Sequence, residues 1–490
     1  MQSTRRMALL GIAAATSADL AFGRPAYGEE PAGFAADIDL LQRIYETLHP
    51  GLYRYQTPAH FAERCAAVKA EAGTSADLPT QYRLLSKLLA QVRCGHTYAN
   101  FFNQTAAASK VIVAPKNKLP FHFVWIGDRM VVADNPLGID GLARGDEVLS
   151  IDGAPAAAVQ AALLPYMRAD GSNDDKRRVL LDVTGVDKIE SFDVFHPLLF
   201  PKADPNFTLL RREARTGAVR LMKVEPIDHA GRRAMAPKAA DPSTPDYWSL
   251  AWPTPAVAVL TMPGWAVYDV KWDWRARIAA LMEEVSAKGA QGLVIDLRDN
   301  KGGDDCGYEI ISRLIDSDLP LFADGERLVR FRSTPKDINP YLDTWDRSFE
   351  HLGEGADDLA NGFYRLKADD DDVKRIKPRA PRFRGKVIVL SGAQNSSATF
   401  QFIALMRRSG LARIYGGPTG GNQRGINGGS FFFVRLPNTG LEADLPLVGF
   451  FPNQPKPDAG LWPDVRIDRT LADVARGYDR VLAQAVADLG

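Results

Sequence analysis

The spacing of apolar positions changes character along this chain. Over residues 37–92 it is helical: Leu84, Leu85, Leu88, Leu89 and Val92 fall on one face of a 3.6-residue repeat. His49-Pro50-Gly51 interrupts that pattern, as Pro and Gly should. From 117 to 226 the runs shorten, and residues 121–126 and 130–133 read as strands around a Gly127-Asp128 turn. Beyond 256, short apolar runs at 256–262, 292–297, 387–391 and 412–416 alternate with helical patterns. Ile278, Leu281, Met282 and Val285 mark one such helix, and residues 308–314 and 402–406 mark two others. This alternation predicts an α/β fold with a largely parallel sheet under covering helices. Leu471, Val474, Tyr478, Val481 and Ala485 predict one final amphipathic helix.

Two stretches break the pattern. Residues 230–254 are rich in Ala, Pro and charge and read as a linker. Between about 320 and 384 the alternation lapses, and Tyr341, Trp345, Phe349, Phe363 and Tyr364 stand among charged residues, Gly and Pro. An insertion of that length serves as a lid or binding segment, or merely decorates the domain.

The 490 residues suggest about three domains. Lys+Arg and Asp+Glu number 60 each, so there is no general electrostatic case for nucleic acid or anionic membrane as a partner. The acidic run at 369–372 is followed, after Val373, by Lys374 and Arg375 and reads as a solvated loop. At the N-terminus, Thr4-Arg5-Arg6-Met7-Ala8-Leu9 leads into an apolar stretch over 9–15, too short to span a bilayer. Paired arginines before a mild apolar segment resemble a twin-arginine export signal, with an ordinary secretory signal as the alternative; cleavage is expected near Ala26-Tyr27-Gly28. No later segment reaches membrane-spanning length, so the mature protein is expected to be soluble in the periplasm or secreted. Cys65, Cys94 and Cys306 are the three cysteines. Export permits a Cys65–Cys94 disulfide, but three ordinary buried thiols are the favoured reading, and no Cys/His spacing suits a metal.

Two segments after predicted buried strands carry chemistry. In Asp296-Leu297-Arg298-Asp299-Asn300-Lys301-Gly302-Gly303, paired glycines let the chain turn sharply and leave backbone N–H groups unobstructed, able to receive negative charge on a substrate oxygen. In Ser391-Gly392-Ala393-Gln394-Asn395-Ser396-Ser397-Ala398-Thr399-Phe400, a serine stands at a strand-to-helix junction. There it gains exposure, and the N–H groups of the helix start favour an oxyanion. Ser and Asn at this place also suit plain helix caps.

These segments, followed by Gly416-Gly417-Pro418-Thr419-Gly420-Gly421, resemble in order the catalytic core of the carboxy-terminal-processing and tricorn-core serine peptidases. The string from Gly141 through Gly145-Asp146 to Asp152-Gly153 resembles a PDZ domain, a β-rich module able to accept an extended peptide at a strand edge. The resemblance implies a ClpP/crotonase-like core over residues 255–490, with the insertion at about 320–384. Before it stand an export signal (1–28), an N-terminal helical region (29–108), a PDZ-like domain (109–229) and the linker (230–254). By position, Ser397 matches the nucleophile, and Gly303 and Ala398 match the residues whose N–H groups form the oxyanion hole. No metal or organic cofactor is implied, and the partner implied is a peptide or protein substrate.

The processing branch places a lysine base about 25 residues after the serine, where this chain has Asn422, which has no basic lone pair. Arg424 stays protonated. The tricorn-like branch takes a histidine from far upstream, and Cys94-Gly95-His96-Thr97-Tyr98 resembles that element, which makes His96 the candidate general base. In that pattern a glutamate before Pro-Asp orients the histidine through a serine; here Trp462 and Gly95 occupy those positions. Glu442, Asp464, Asp304 and Asp305 are the candidate substitutes. The resulting expectation is an exported serine endopeptidase-like hydrolase. A non-catalytic peptide- or ligand-binding protein on the same fold and a serine hydrolase of non-peptide esters or amides are the alternatives.

Overall fold

The computed structural model describes residues 33–74, 76–237, 241–321, 325–367 and 375–490. The expected export signal and the acidic run at 369–372 lie outside the described residues.

The predicted parallel sheet is present and carries the site. Its six strands lie in the order Val465–Arg466, Arg413–Gly416, Lys386–Ser391, Gly292–Asp296, Val257–Thr261 and Ser249–Thr254. The first four pairings are parallel and the last is antiparallel. Successive side chains alternate between faces, as a period of two demands. Leu260, Ile295 and Val389 meet the helices Trp274–Ala287, Cys306–Ser312 and Ser397–Arg408 on one face. Val259, Val294 and Leu390 meet the helix Arg480–Leu489 on the other. Both faces are thus buried, which is why these strands read as unbroken apolar runs. Three neighbouring parallel strands end at Asp296, Ser391 and Gly416. The loops that follow them therefore emerge along one carboxyl edge, where open α/β sheets place their ligands.

The helical reading of 37–92 resolves into Phe34–Leu48, Pro58–Ala72 and Leu78–Ala90, the last two capped by Thr57 and Asp77 side chains. The strands His122–Ile126, Arg129–Asp134, Glu147–Ile151, Phe207–Arg212 and Val219–Val224 form an antiparallel sheet in that order. A second antiparallel sheet runs in the order Leu342–Asp343, Asn427–Arg435, Glu442–Pro452, Gly325–Val329, Tyr364–Arg365, Asp357–Asp358. One continuous apolar core joins Leu41 and Leu88 of the helices, Phe123 and Leu209 of the first antiparallel sheet, and Phe432 and Leu445 of the second.

Several expectations change. Much of the stretch 320–384 is not an appended loop, because Gly325–Val329 pairs with Glu442–Pro452 and Leu342–Asp343 with Asn427–Arg435. Within 230–254 the chain forms the helix His229–Ala234 and the strand Ser249–Thr254, which is the antiparallel edge of the parallel sheet. The single final helix is two, Leu471–Arg476 and Arg480–Leu489. Gly477 turns left-handed at φ +64° and ends the first, Asp479 caps the second, and Tyr478 is exposed between them. The cysteines, by contrast, follow the reading of three buried thiols: all three are free and buried, and Cys65 and Cys94 are not bridged. Among the described residues, no helix is long and apolar enough to cross a membrane.

Candidate active site

The Gly302-Gly303 loop requires glycine at both positions. Both residues have positive φ, +102° and +135°. A Cβ added to Gly303 would meet the Trp265 backbone at 2.2 Å, and one added to Gly302 would lie 2.7 Å from Ser397 Cβ and 3.0 Å from Ala398 N. The loop therefore passes bare backbone directly over the start of the helix Ser397–Arg408. Among the described residues, neither the Gly303 nor the Ala398 N–H has a hydrogen-bond partner, so the two expected oxyanion donors are free.

Ser397 is the first residue of that helix and sits at φ +52°, in the left-handed region that side chains ordinarily avoid. Such a conformation costs on the order of 1–3 kcal/mol and persists only where its surroundings impose it. The adjacent Ser396 differs: its hydroxyl donates to Lys301 O at 3.1 Å and Gln394 O at 3.3 Å. Ser397 is partly exposed, and its hydroxyl has no hydrogen-bond partner among the described residues. Geometry thus separates the two serines as the motif order does.

Neither asparagine nor serine caps this helix through a side chain. Asn395 is fully buried instead, donating to Leu297 O and, at 3.0 Å, to Asn300 O, while its carbonyl accepts from Gly420 N at 2.7 Å and Gly421 N at 2.9 Å. It ties together the three loops at the sheet edge.

His96 lies in a turn fixed from two sides. Gly95 N donates to Asp170 Oδ1 at 2.8 Å, and Asn427 Nδ2 donates to Cys94 Sγ at 3.2 Å. A Cβ on Gly95 would approach Asp170 Oδ2 to 2.9 Å, which accounts for glycine at that position. The imidazole faces Gly428, 3.9 Å from a Cβ built there, and lies 5.8 Å from the Phe431 ring. Its Nδ1 is buried without a partner among the described residues. Burial, followed by the positive charges of Arg168 and Lys176, lowers its pKa to about 3, so the ring is neutral near pH 7.

None of the four carboxylates considered for the relay bonds to His96. Glu442 pairs with Arg435, and burial raises its pKa to about 7. Asp464 accepts Ile414 N at 2.8 Å and pairs with Arg407. Asp304 and Asp305, both raised to about 6 by burial, follow the glycine loop and face Arg275. Asn422, at the lysine position of the processing branch, is buried and donates to Asp458 Oδ1 at 2.7 Å and Asp170 O at 3.2 Å.

Two charged residues at the site carry no mark in the sequence. Asp170 is buried under the histidine turn, and burial raises its pKa to about 6. Lys176 is 4% exposed and donates to both Gln394 O and Gln394 Oε1 at 3.1 Å. Its setting, Asn173-Asp174-Asp175-Lys176-Arg177-Arg178, reads as the charged start of a solvated helix, and only tertiary docking buries it.

Residues 256–432 match the model of Peptidase family S41. No curated protein matches the chain. Among solved structures, the fold is similar to mature CPAF complexed with lactacystin, with a TM-score of 0.65 and 17% identity over 93% of this chain and 98% of that one. It is similar also to a second structure of mature CPAF, with a TM-score of 0.62 and 18% identity over 93% and 97% of the two chains. The matched stretch contains both the Gly302-Gly303 loop and the strained serine, and this part of the chain is accordingly similar to the serine-type peptidases of family S41.

Proposed function

We propose that this protein is an exported endopeptidase-like hydrolase in which Ser397 attacks the scissile carbonyl and His96 accepts its proton. The N–H groups of Gly303 and Ala398 receive the tetrahedral oxyanion, and the imidazolium then protonates the leaving amine. Water, deprotonated by the same imidazole, hydrolyses the acyl-enzyme. The observation that carries this reading is the left-handed Ser397 at a helix start, with its hydroxyl free and bare glycine backbone packed against it. The neutral imidazole of His96 supports the assigned base. A cavity of about 580 Å³ runs beside the same helix, lined by Phe400, Ala404, Leu405, Ile426 and Phe450, and offers apolar room for substrate side chains. In this reading the paired arginines direct export, and the β-rich module over 109–229 acts as a PDZ-like peptide binder.

A fluorophosphonate probe tests the nucleophile. Wild-type protein is expected to be labelled, and Ser397→Ala is not; equal labelling of the two would sink the assignment. The orphaned His96 Nδ1 and Asn422 favour one rival, a peptide-binding protein without hydrolysis on the same fold. That rival predicts no labelling and peptide binding indifferent to His96→Ala.

A further inference from the structure

Lys176 comes from outside the segment matched by the family, yet it reaches the loop that presents Ser397. The short helix Asp174–Val179 begins at Asn173, whose side chain accepts from Lys176 N at 3.1 Å. The same side chain donates to Thr419 O at 2.8 Å and Gly421 O at 3.2 Å. This anchors the base of the lysine to the third loop of the sheet edge. Its aliphatic stem then passes Gly420 so closely that a Cβ there would meet Lys176 Cδ at 2.9 Å and Ala393 O at 2.2 Å. The stem ends with Nζ on both oxygens of Gln394, three residues before Ser397. The main-chain oxygen of Gln394 also accepts the Ser396 hydroxyl. Lysine and serine therefore hold one carbonyl in place, on the turn that leads into the left-handed residue.

Such a placement is costly for a lysine. Among the described residues its Nζ has only uncharged hydrogen-bond acceptors, and burial, reinforced by the charges of Lys301 and Arg168, pushes its pKa well below the usual range. An apolar residue of similar length would fill the slot without that cost, but it would leave both Gln394 oxygens without this donor.

We infer that Lys176 is a positioning residue for the candidate nucleophile: by gripping Gln394 from outside the family core, it holds the 394–397 turn in the geometry that presents the Ser397 hydroxyl. The inference rests on the nucleophile assignment for its kinetic consequence, but the clamp itself is a structural claim.

The test compares wild type with Lys176→Met, which keeps the packing and loses the donor, and Lys176→Arg, which restores a donor. Labelling by a fluorophosphonate and turnover of a peptide are measured well below each protein's melting temperature. Lys176→Met is expected to lose roughly tenfold or more in labelling rate and kcat with KM nearly unchanged, as misorientation of a reacting group does, and Lys176→Arg should recover part of that loss. Wild-type labelling rates in Lys176→Met would overturn the inference. If the Met protein does not fold, Lys176→Arg decides: sub-wild-type labelling upholds the clamp, and full wild-type labelling with Gln394 ungripped in its crystal structure overturns it. A crystal structure of Lys176→Met reads the clamp independently of activity. Relaxation of residue 397 out of positive φ upholds it, and an unchanged turn refutes it. An unlabelled wild type would instead refute the nucleophile and leave the clamp to be judged by that structure.

Discussion

Asn300 and Thr399 join the two halves of the candidate oxyanion site, the Thr399 hydroxyl donating to Asn300 Oδ1 at 2.6 Å. The same oxygen accepts Gly302 N at 2.9 Å, and Asn300 Nδ2 donates to Met262 O at 3.0 Å. Asn300 is fully buried, so each of these groups depends on it. Asn300→Ala is expected to cost about 1–3 kcal/mol for each partner left unpaired. It should also slow fluorophosphonate labelling by about tenfold or more, since the glycine loop loses its register against the helix. Denaturant titration and labelling rates check the two effects separately.

The strain at Ser397 predicts an unusual ordering of two inactive variants. Alanine keeps the left-handed penalty and glycine does not, so Ser397→Gly should be more stable than Ser397→Ala by about 1 kcal/mol. Neither should be labelled. Thermal melts in which alanine equals or exceeds glycine would mean that residue 397 carries no such strain in solution.

The environment of His96 predicts a low acid limit for activity. Its folded-state pKa, about 3, lies below the ordinary histidine value, so the basic form persists as pH falls through 6.5. Labelling is therefore expected to stay near its neutral-pH rate down to about pH 5, where an unperturbed histidine would already be mostly protonated. His96→Gln should remove about 10²–10⁴ of the rate. An acid limb centred near 6.5 would contradict the burial described for this ring.

Asp170 makes the opposite linkage prediction. Burial raises its folded pKa to about 6 from an ordinary value near 4, so its stabilising contribution is complete below the unfolded pKa and is lost as pH rises through about 6. Asp170→Asn keeps an acceptor for Gly95 N and removes the titration. The variant should gain stability relative to wild type between about pH 4 and pH 7, by about 1–3 kcal/mol in total. A difference in stability that stays flat over that range would argue against a buried, ionising carboxyl.

The three cysteines give a simple chemical check. Unfolded without reductant, the chain should react as three free thiols, because Cys65, Cys94 and Cys306 are unbridged. A count of one would restore the Cys65–Cys94 disulfide.

What the sequence made legible follows from how locally each feature is determined. Parallel strands such as Gly292–Asp296 and Lys386–Ser391 are buried on both faces, so their apolar runs stand out without tertiary information. Ser397 and Gly303 stand out as candidates for the same reason, each lying in a motif directly after such a strand. The strand Asn427–Arg435 was not read: Gly428 and Gly429 dilute its pattern, and its register shifts between Gly428 and Phe431. Ser249–Thr254 was hidden by its half-exposed edge position and by Pro253. The final helix was read through Gly477, because apolar spacing continues across a turn that only the left-handed glycine breaks. Lys176 and Asp170 were invisible because their burial is created by segments distant in the chain. Near His96 the sequence left four candidate carboxylates open; in the described structure none of them bonds the ring, Arg168 and Lys176 bring positive charge to it, and Asp170 bonds the turn at Gly95 N.

The distances along the chain that meet at this site have a consequence for how the protein comes alive. Gly95 bonds Asp170 across 75 residues, Lys176 reaches Gln394 across 218, and Asn427 reaches Cys94 across 333. Contacts of such long range form late, since loop closure must precede any gain from them. A growing or half-folded chain therefore holds its serine, its imidazole and its glycine loop as separate, inert pieces. If the proposed reading holds, no hydrolysis is available until the last of these segments has docked.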